Sequence, residues 1–219
     1  MTNGNTAKQK TKPARVPKKP GDHGWQSHKS STTRELIFKS TVQCIVEYGY
    51  ANTTTTRIAE KAGLSRGATL HHFSSHMDII RASVEYLHQK RLKAFRKAVE
   101  NLPEGGNRVR MAAESYRNHV MHPLFVAFFE LSVAARSDTE LAAVLRPAQE
   151  AFDNALYETT MELFPEWKQD PQALELAMDL SQKLMEGMLI CDLTHSQNFD
   201  REALLDFLEA SLRSLLPQN

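Results

Sequence analysis

Residues 57–73 read RIAEKAGLSRGATLHHF. A small-residue turn, Ala62-Gly63-Leu64-Ser65, separates two short segments, and the second ends in paired histidines. The first segment sets Ile58, Ala59 and Ala62 at helical spacing, with Thr54 placed to cap its start. Ala59 is small enough for two short helices to cross closely. Gly63 tolerates a positive φ, Leu64 returns an apolar side chain to the core, and Ser65 caps the helix that follows. These are the requirements of a helix-turn-helix, whose second helix enters a major groove with its N-terminal end leading.

That leading end reads Ser65-Arg66-Gly67-Ala68. Arg66 can donate a bidentate pair to guanine O6 and N7, and Ala68 can touch a thymine methyl. Gly67 and Ala68 keep the surface low, so backbone can approach the bases. Leu70 and His71 lie further along, where apolar base contact and phosphate hydrogen bonding are expected. Thr54, Thr55 and Thr56 open the preceding helix with free N–H groups and hydroxyls that suit phosphate.

Working outward, the helical pattern begins at Thr33. Ile37, Thr41, Cys44, Ile45 and Tyr48 recur on one face of a helix ending at Gly49. Ser75 with Asp78 forms a capping box that opens a long charged helix to about Val99. LPEGGN breaks the chain there. Helices are predicted over about 108–121, 123–136, 138–163, 171–193 and 200–216, separated at Pro123, Ser137-Asp138, Phe164-Pro165 and HSQNFD. Pro147 is expected to start, kink or divide the third of these. No alternating strand pattern occurs. The chain reads as all-α, with a small head over 31–81 and a larger helical body over 82–219.

Charge is uneven along the 219 residues. The net formal charge is +1, but residues 1–30 carry +6, residues 31–81 carry +2 and residues 82–219 carry −7. A polyanion is therefore expected at the N-terminal part. Residues 1–30, rich in Lys, Pro, Gly, Ser and Thr, read as a disordered basic arm, either solubilising or weakly attached to phosphate. No apolar core follows the N-terminal lysines, so no secretion signal is read, and no apolar run is long enough for a membrane. Cys44 and Cys191 sit in apolar helical patterns and read as small buried hydrophobes of a reduced, cytoplasmic protein.

Residues 32–80, TTRELIFKSTVQCIVEYGYANTTTTRIAEKAGLSRGATLHHFSSHMDII, resemble the N-terminal domain of the TetR family of bacterial transcriptional regulators. The likeness rests on linked pieces at matching spacings: Gly49-Tyr50, Thr53-Thr54, Ile58-Ala59, Ala62-Gly63-Leu64-Ser65, Gly67, and His71 before Phe73. It implies a cytoplasmic, nucleoid-associated homodimer on a double-stranded operator, usually a repressor, whose helical body answers a small-molecule effector. By the family pattern Thr55, Thr56, Ser65, Arg66, Gly67, Leu70, His71 and His72 fall near DNA. Three positions depart from it. Leu70 stands where Tyr is usual, Thr69 where a core Leu is usual, and His76 where a phosphate-holding Lys is usual.

For the body, the resemblance implies pairing through the last two long helices. Leu204, Leu208, Leu212 and Leu215 form the expected dimer stripe, and Gly187 marks a close helix approach, with packing inside one chain as the alternative. The almost wholly apolar run 123–136 is expected at the centre of the body. Tyr116, Met121, Phe125, Phe128, Phe129, Phe152, Met178 and Met185 are candidate pocket residues, each alone more often ordinary core. Glu130 is read either as a ligand contact or as an ion pair or exposed edge.

Rival functions lack residues. His119 with His122, and Cys191 with His195, give two metal ligands apiece where a site needs three or four. No Gly-x-Ser-x-Gly elbow, phosphate-cradling loop or paired metal motif points to an enzyme or a cofactor. A DNA-binding regulator or activator whose body only dimerises, without a ligand, is the remaining alternative.

Overall fold

The computed structural model describes residues 22–102, 108–120, 122–194 and 200–216, and within these the side chains of 22–29, 108, 109, 116, 119, 120, 193 and 194 are not described. Among the described residues the chain is helical throughout: α1 Asp22–Tyr48, α2 Thr55–Lys61, α3 Arg66–His72, α4 His76–Glu100, α5 Arg108–Val120, α6 Pro123–Ala134, α7 Thr139–Leu163, α8 Pro171–Thr194 and α9 Arg201–Leu215. Short 3-10 turns lie at Tyr50–Asn52 and Pro165–Gln169. Contacts divide the chain into Met1–Glu35 and Leu36–Asn219. In the first unit, residues 22–30 are helical, which corrects the arm read over 1–30. Past Pro20 and Gly21 only Gly24 interrupts the run, and the helix starts before the apolar face that sequence periodicity detects. The rest of the arm lies outside the described residues.

In the second unit, local chemistry sets the element ends. Gly49 (φ 75°) and Gly63 (φ 65°) take the left-handed conformation that terminates α1 and makes the turn after α2. Thr54, Ser65 and Ser75 each accept a backbone N–H three residues on, at 3.3, 3.1 and 3.0 Å. Asp138 and Asp200 cap α7 and α9 in the same way. His122 caps α6, its Nδ1 accepting from the N–H of Leu124. Pro147 neither starts nor divides a helix; α7 runs through it from Thr139 to Leu163.

Three apolar clusters hold this unit together. Ile37, Cys44, Ile58, Phe73 and Ile79, with Phe38 and Leu64 against them, close the head. Val42, Ile45, Ile80, Val84 and Leu87 meet Ala127, Phe128, Leu131, Leu141 and Leu145, joining head helices and α4 to α6 and α7. The body core gathers α5, α8, α9 and the second 3-10 turn around Trp167, Met185, Leu205 and Leu208. Arg110 of α5 reinforces it, pairing with Glu114 at 2.7 Å and with Glu202 and Asp206 of α9.

The leucine stripe belongs to that core. Leu208 is 0% exposed and Leu212 is buried within the chain, and Leu204 and Leu215 pack partly against that core. Periodicity shows that a stripe is buried without showing what buries it. A Cβ built on Gly187 meets nothing within 4 Å, so no close helix approach within the chain explains it. Cys44 is buried, and burial pushes its thiol pKa up; Cys191, expected inside, is exposed on α8.

Candidate nucleic-acid interface and body pocket

The head brings five of its predicted residues, Thr54, Thr55, Thr56, Arg66 and His76, to one concave surface. Tyr50, Ala51, Thr53, Thr54, Thr55, Thr56, Arg66 and His76 line it, where the N-terminal ends of α2 and α3 converge. Thr54, Thr56, Ser65, Arg66, Gly67, Ala68, Leu70 and His71 are exposed, and Thr55 and His72 are half-buried. Thr69, by contrast, is fully buried, its hydroxyl donating to the Ser65 carbonyl at 3.3 Å. A hydroxyl bonded to its own helix fits where the sequence pattern favours leucine.

His76 is less open than its position in the chain implied. Its Nε2 lies 2.6 Å from the Thr53 carbonyl oxygen, so that nitrogen carries the hydrogen and donates to backbone. The ring locks the loop before α2 to the start of α4, leaving Nδ1 as its remaining polar atom. Arg57 is tied locally, with its guanidinium donating to Asn52 O at 2.8 Å and lying over the Tyr48 ring. Lys61 pairs with Glu47.

A small internal helix glycine sets α3 apart. Gly67 is exposed, and a Cβ placed on it would meet only the Ser65 hydroxyl, at 4.0 Å. Nothing among the described residues needs the space, although glycine in a helix is less stable than alanine, by up to about 1 kcal/mol in a helix interior.

A second site lies in the body. A pocket of about 120 Å³ is walled by Phe95 of α4, Ala112 and Ala113 of α5, Leu156 and Thr160 of α7, Phe164 and Trp167, Leu174, Ala177, Met178, Ser181 and Gln182 of α8, and Leu212 of α9. Of the predicted pocket residues, Met178 is in this wall. Met121 and the side chain of Tyr116 lie outside the described residues. Phe125, Phe128 and Phe152 instead surround the buried Arg91 guanidinium, at 4.8, 4.3 and 4.3 Å from the ring centres. Met185 is core, and Phe129 is half-buried on α6. Glu130 is exposed with its carboxylate beside Gly49, so it is a surface group and not a pocket acid.

Residues 37–83 match the family described as "Bacterial regulatory proteins, tetR family". The "HTH-type transcriptional repressor AcnR" of Corynebacterium diphtheriae is 25% identical over 192 residues, covering 85% of this chain and 95% of that protein. Residues 37–83 are thus a TetR-family DNA-binding domain. An "uncharacterized HTH-type transcriptional regulator" of Mycobacterium tuberculosis is 27% identical over 121 residues, covering 55% of this chain and 62% of that one. The match thus spans about three fifths of that mycobacterial regulator's length. The solved structure of "multidrug binding protein EbrR complexed with imidazole" superposes with a TM-score of 0.60 at 16% identity, over 85% of this chain and 96% of that one. That likeness speaks for the fold alone. No helix among the described residues of this chain is long and apolar enough to cross a membrane.

Residues that sequence reasoning missed cluster in the body wall. Trp167 falls in a stretch read only as a break, Phe164-Pro165-Glu166-Trp167. Two aromatics inside a helix break were the available signal, since a purely solvated connection has no use for them.

Proposed function

We propose that this TetR-family regulator is a homodimeric repressor of a palindromic operator, released when a small apolar molecule occupies the body pocket. The observation that carries the DNA half is Gly67. A helix that accepts a destabilising glycine on its exposed leading turn, with no internal neighbour demanding it, reserves that space for an outside partner. Arg66 beside it supplies the guanine donor pair, and Thr54 to Thr56 and His71 supply phosphate contacts.

Dimerisation draws support from the faces of α8 and α9 turned away from the body core. Leu176 is 56% and Phe207 65% exposed, and Ile190 is also exposed. Gly187 on α8, and Ala203 and Ala210 on α9, leave room beside them for a second pair of helices. The proposed interface is this outward face, in place of the inward leucines.

The signal would travel by α4, which contributes Phe95 to the pocket wall and Ile79 to the head core. A second link is the Tyr50 hydroxyl, which donates to Asp138 Oδ2 at 3.0 Å while Oδ1 of the same carboxylate caps α7. A ligand that separates α7 and α8 therefore acts on α4 and on the Tyr50–Asp138 contact. A repressive sign agrees with the Corynebacterium relative, and a ligand-taking body agrees with the multidrug-binding neighbour. Selection of binders from a random duplex library tests the reading. It is expected to return an inverted repeat with half-site centres about 34 Å apart or a multiple of that. An enriched site without two-fold symmetry would contradict it.

A further inference from the structure

The pocket wall also defines the chemistry of its occupant. Resting on the sensor reading above, we propose that the effector class is a neutral compound about one aromatic ring in size, bearing a hydroxyl or comparable uncharged polar group, and that carboxylates and phosphates are refused.

Charge decides the first part. None of the lining residues is Arg, Lys, His, Asp or Glu. Two cations on the neighbouring turns, Arg96 and Arg110, are already engaged. Arg96, next to Phe95, donates to both carboxylate oxygens of Glu162 at 3.0 and 2.6 Å. Arg110, two residues before Ala112, pairs with Glu114, Glu202 and Asp206, and Glu114 and Asp206 hold its pKa above the ordinary arginine value. An anion entering this pocket would leave water and meet no counter-charge.

The polar atoms of the wall decide the second part. The Thr160 hydroxyl donates to the Leu156 carbonyl at 2.8 Å, and the Ser181 hydroxyl to the Ala177 carbonyl at 2.7 Å. Both hydrogens are spent, so both oxygens remain as acceptors. The Gln182 amide nitrogen donates to Glu186 Oε1 at 2.9 Å. A carboxylate only accepts, which fixes the amide orientation and leaves the Gln182 Oε1 as a further acceptor. A ligand hydroxyl, able to donate and to accept, matches this set better than an ether or an acid.

Size decides the third part. About 120 Å³ is close to the roughly 150 Å³ of an apolar cavity that admits benzene. Phe95, Phe164 and Trp167 provide the ring contacts.

Calorimetric titration of the full chain with 4-ethylphenol, 4-ethylanisole and 4-ethylbenzoate separates these contributions, with duplex binding followed in parallel. The phenol is expected to bind about threefold to tenfold tighter than the ether. The benzoate is expected to be weaker by about a hundredfold or more. Gln182→Leu should narrow the gap between phenol and ether while retaining the ether. Met178→Trp should abolish binding of both with the helical circular dichroism unchanged. Equal or tighter binding of the benzoate, phenol binding indifferent to Met178→Trp, or no binding by any of the three overturns the proposal. Release of DNA by the benzoate and not by the phenol would sink the ligand class and leave the sensor reading standing. Phenol binding that leaves DNA affinity unchanged would support the ligand class and sink the sensor reading.

Discussion

At Gly67 the chain accepts a local cost that its own packing does not require, and the cost is measurable. Gly67→Ala is expected to raise stability by about 0.5–1 kcal/mol in urea denaturation, because alanine loses less backbone freedom in a helix. The same variant should bind its operator more weakly, since a methyl then stands on the leading turn of α3. A gain in stability with undiminished DNA affinity would remove the functional meaning given to this residue. His88 carries a second residue-scale prediction. It is 6% exposed on α4, stacked on Phe152 and beside the Arg91 guanidinium. Burial, and then the arginine charge, push its pKa from 6.5 down to about 3. Above pH 6.5 folded and unfolded states are both neutral at this residue and it adds no pH dependence. Below that value the unfolded chain takes up a proton the folded chain refuses. Stability is therefore lost as pH falls from 6.5 towards 3, at up to about 1.4 kcal/mol per unit. His88→Phe should flatten the fall in urea midpoint between roughly pH 6.5 and 5, a window in which ordinary carboxylates stay largely ionised. An equal slope in both proteins would show that His88 is not held neutral.

Elements differ in how far their sequence announces them. The head was legible nearly residue by residue because its signals are local: a positive-φ glycine at Gly63 and caps at Thr54, Ser65 and Ser75 need no knowledge of distant chain. The body helices were legible in extent for the same reason, with Pro and Asp at their starts. Their partners were not. The stripe Leu204, Leu208, Leu212 and Leu215 has the period of any buried face, and it covers α5 and α8 of its own chain. The pocket was displaced similarly, because the phenylalanines that stood out in α6 are occupied with Arg91, while Trp167 sat unread in a break. Two substitutions one residue apart on α9 separate inward from outward. Leu208→Ala should cost about 2–5 kcal/mol of stability. Phe207→Glu, at an exposed position, should leave the fold stable and shift sedimentation from dimer to monomer. Loss of stability with Phe207→Glu and none with Leu208→Ala would reverse the assignment of faces.

Across the second unit, head and body are joined by the apolar cluster of α1, α4, α6 and α7 and by the Tyr50–Asp138 contact, and the second can be removed without touching the core. Tyr50 is half-buried, its pKa pushed up to about 12 by burial and by the bond to Asp138, whose carboxyl is in turn held below its ordinary value by the α7 backbone and Tyr50. Tyr50→Phe should speed amide hydrogen exchange both around Tyr50–Asn52 and at the first turn of α7. Faster exchange on the head side alone would show that the contact transmits nothing. The account as a whole stands on sequence-specific DNA binding by α3. The most direct measurement is fluorescence anisotropy of the protein on the duplex upstream of its own gene, against scrambled duplex, over a range of salt concentrations, with Arg66→Ala alongside. The predicted result is tight preference for the upstream duplex that Arg66→Ala reduces by about 1–3 kcal/mol, while the salt dependence that both proteins share reports the phosphate contacts. Equal affinity for both duplexes, unchanged by Arg66→Ala, would contradict it.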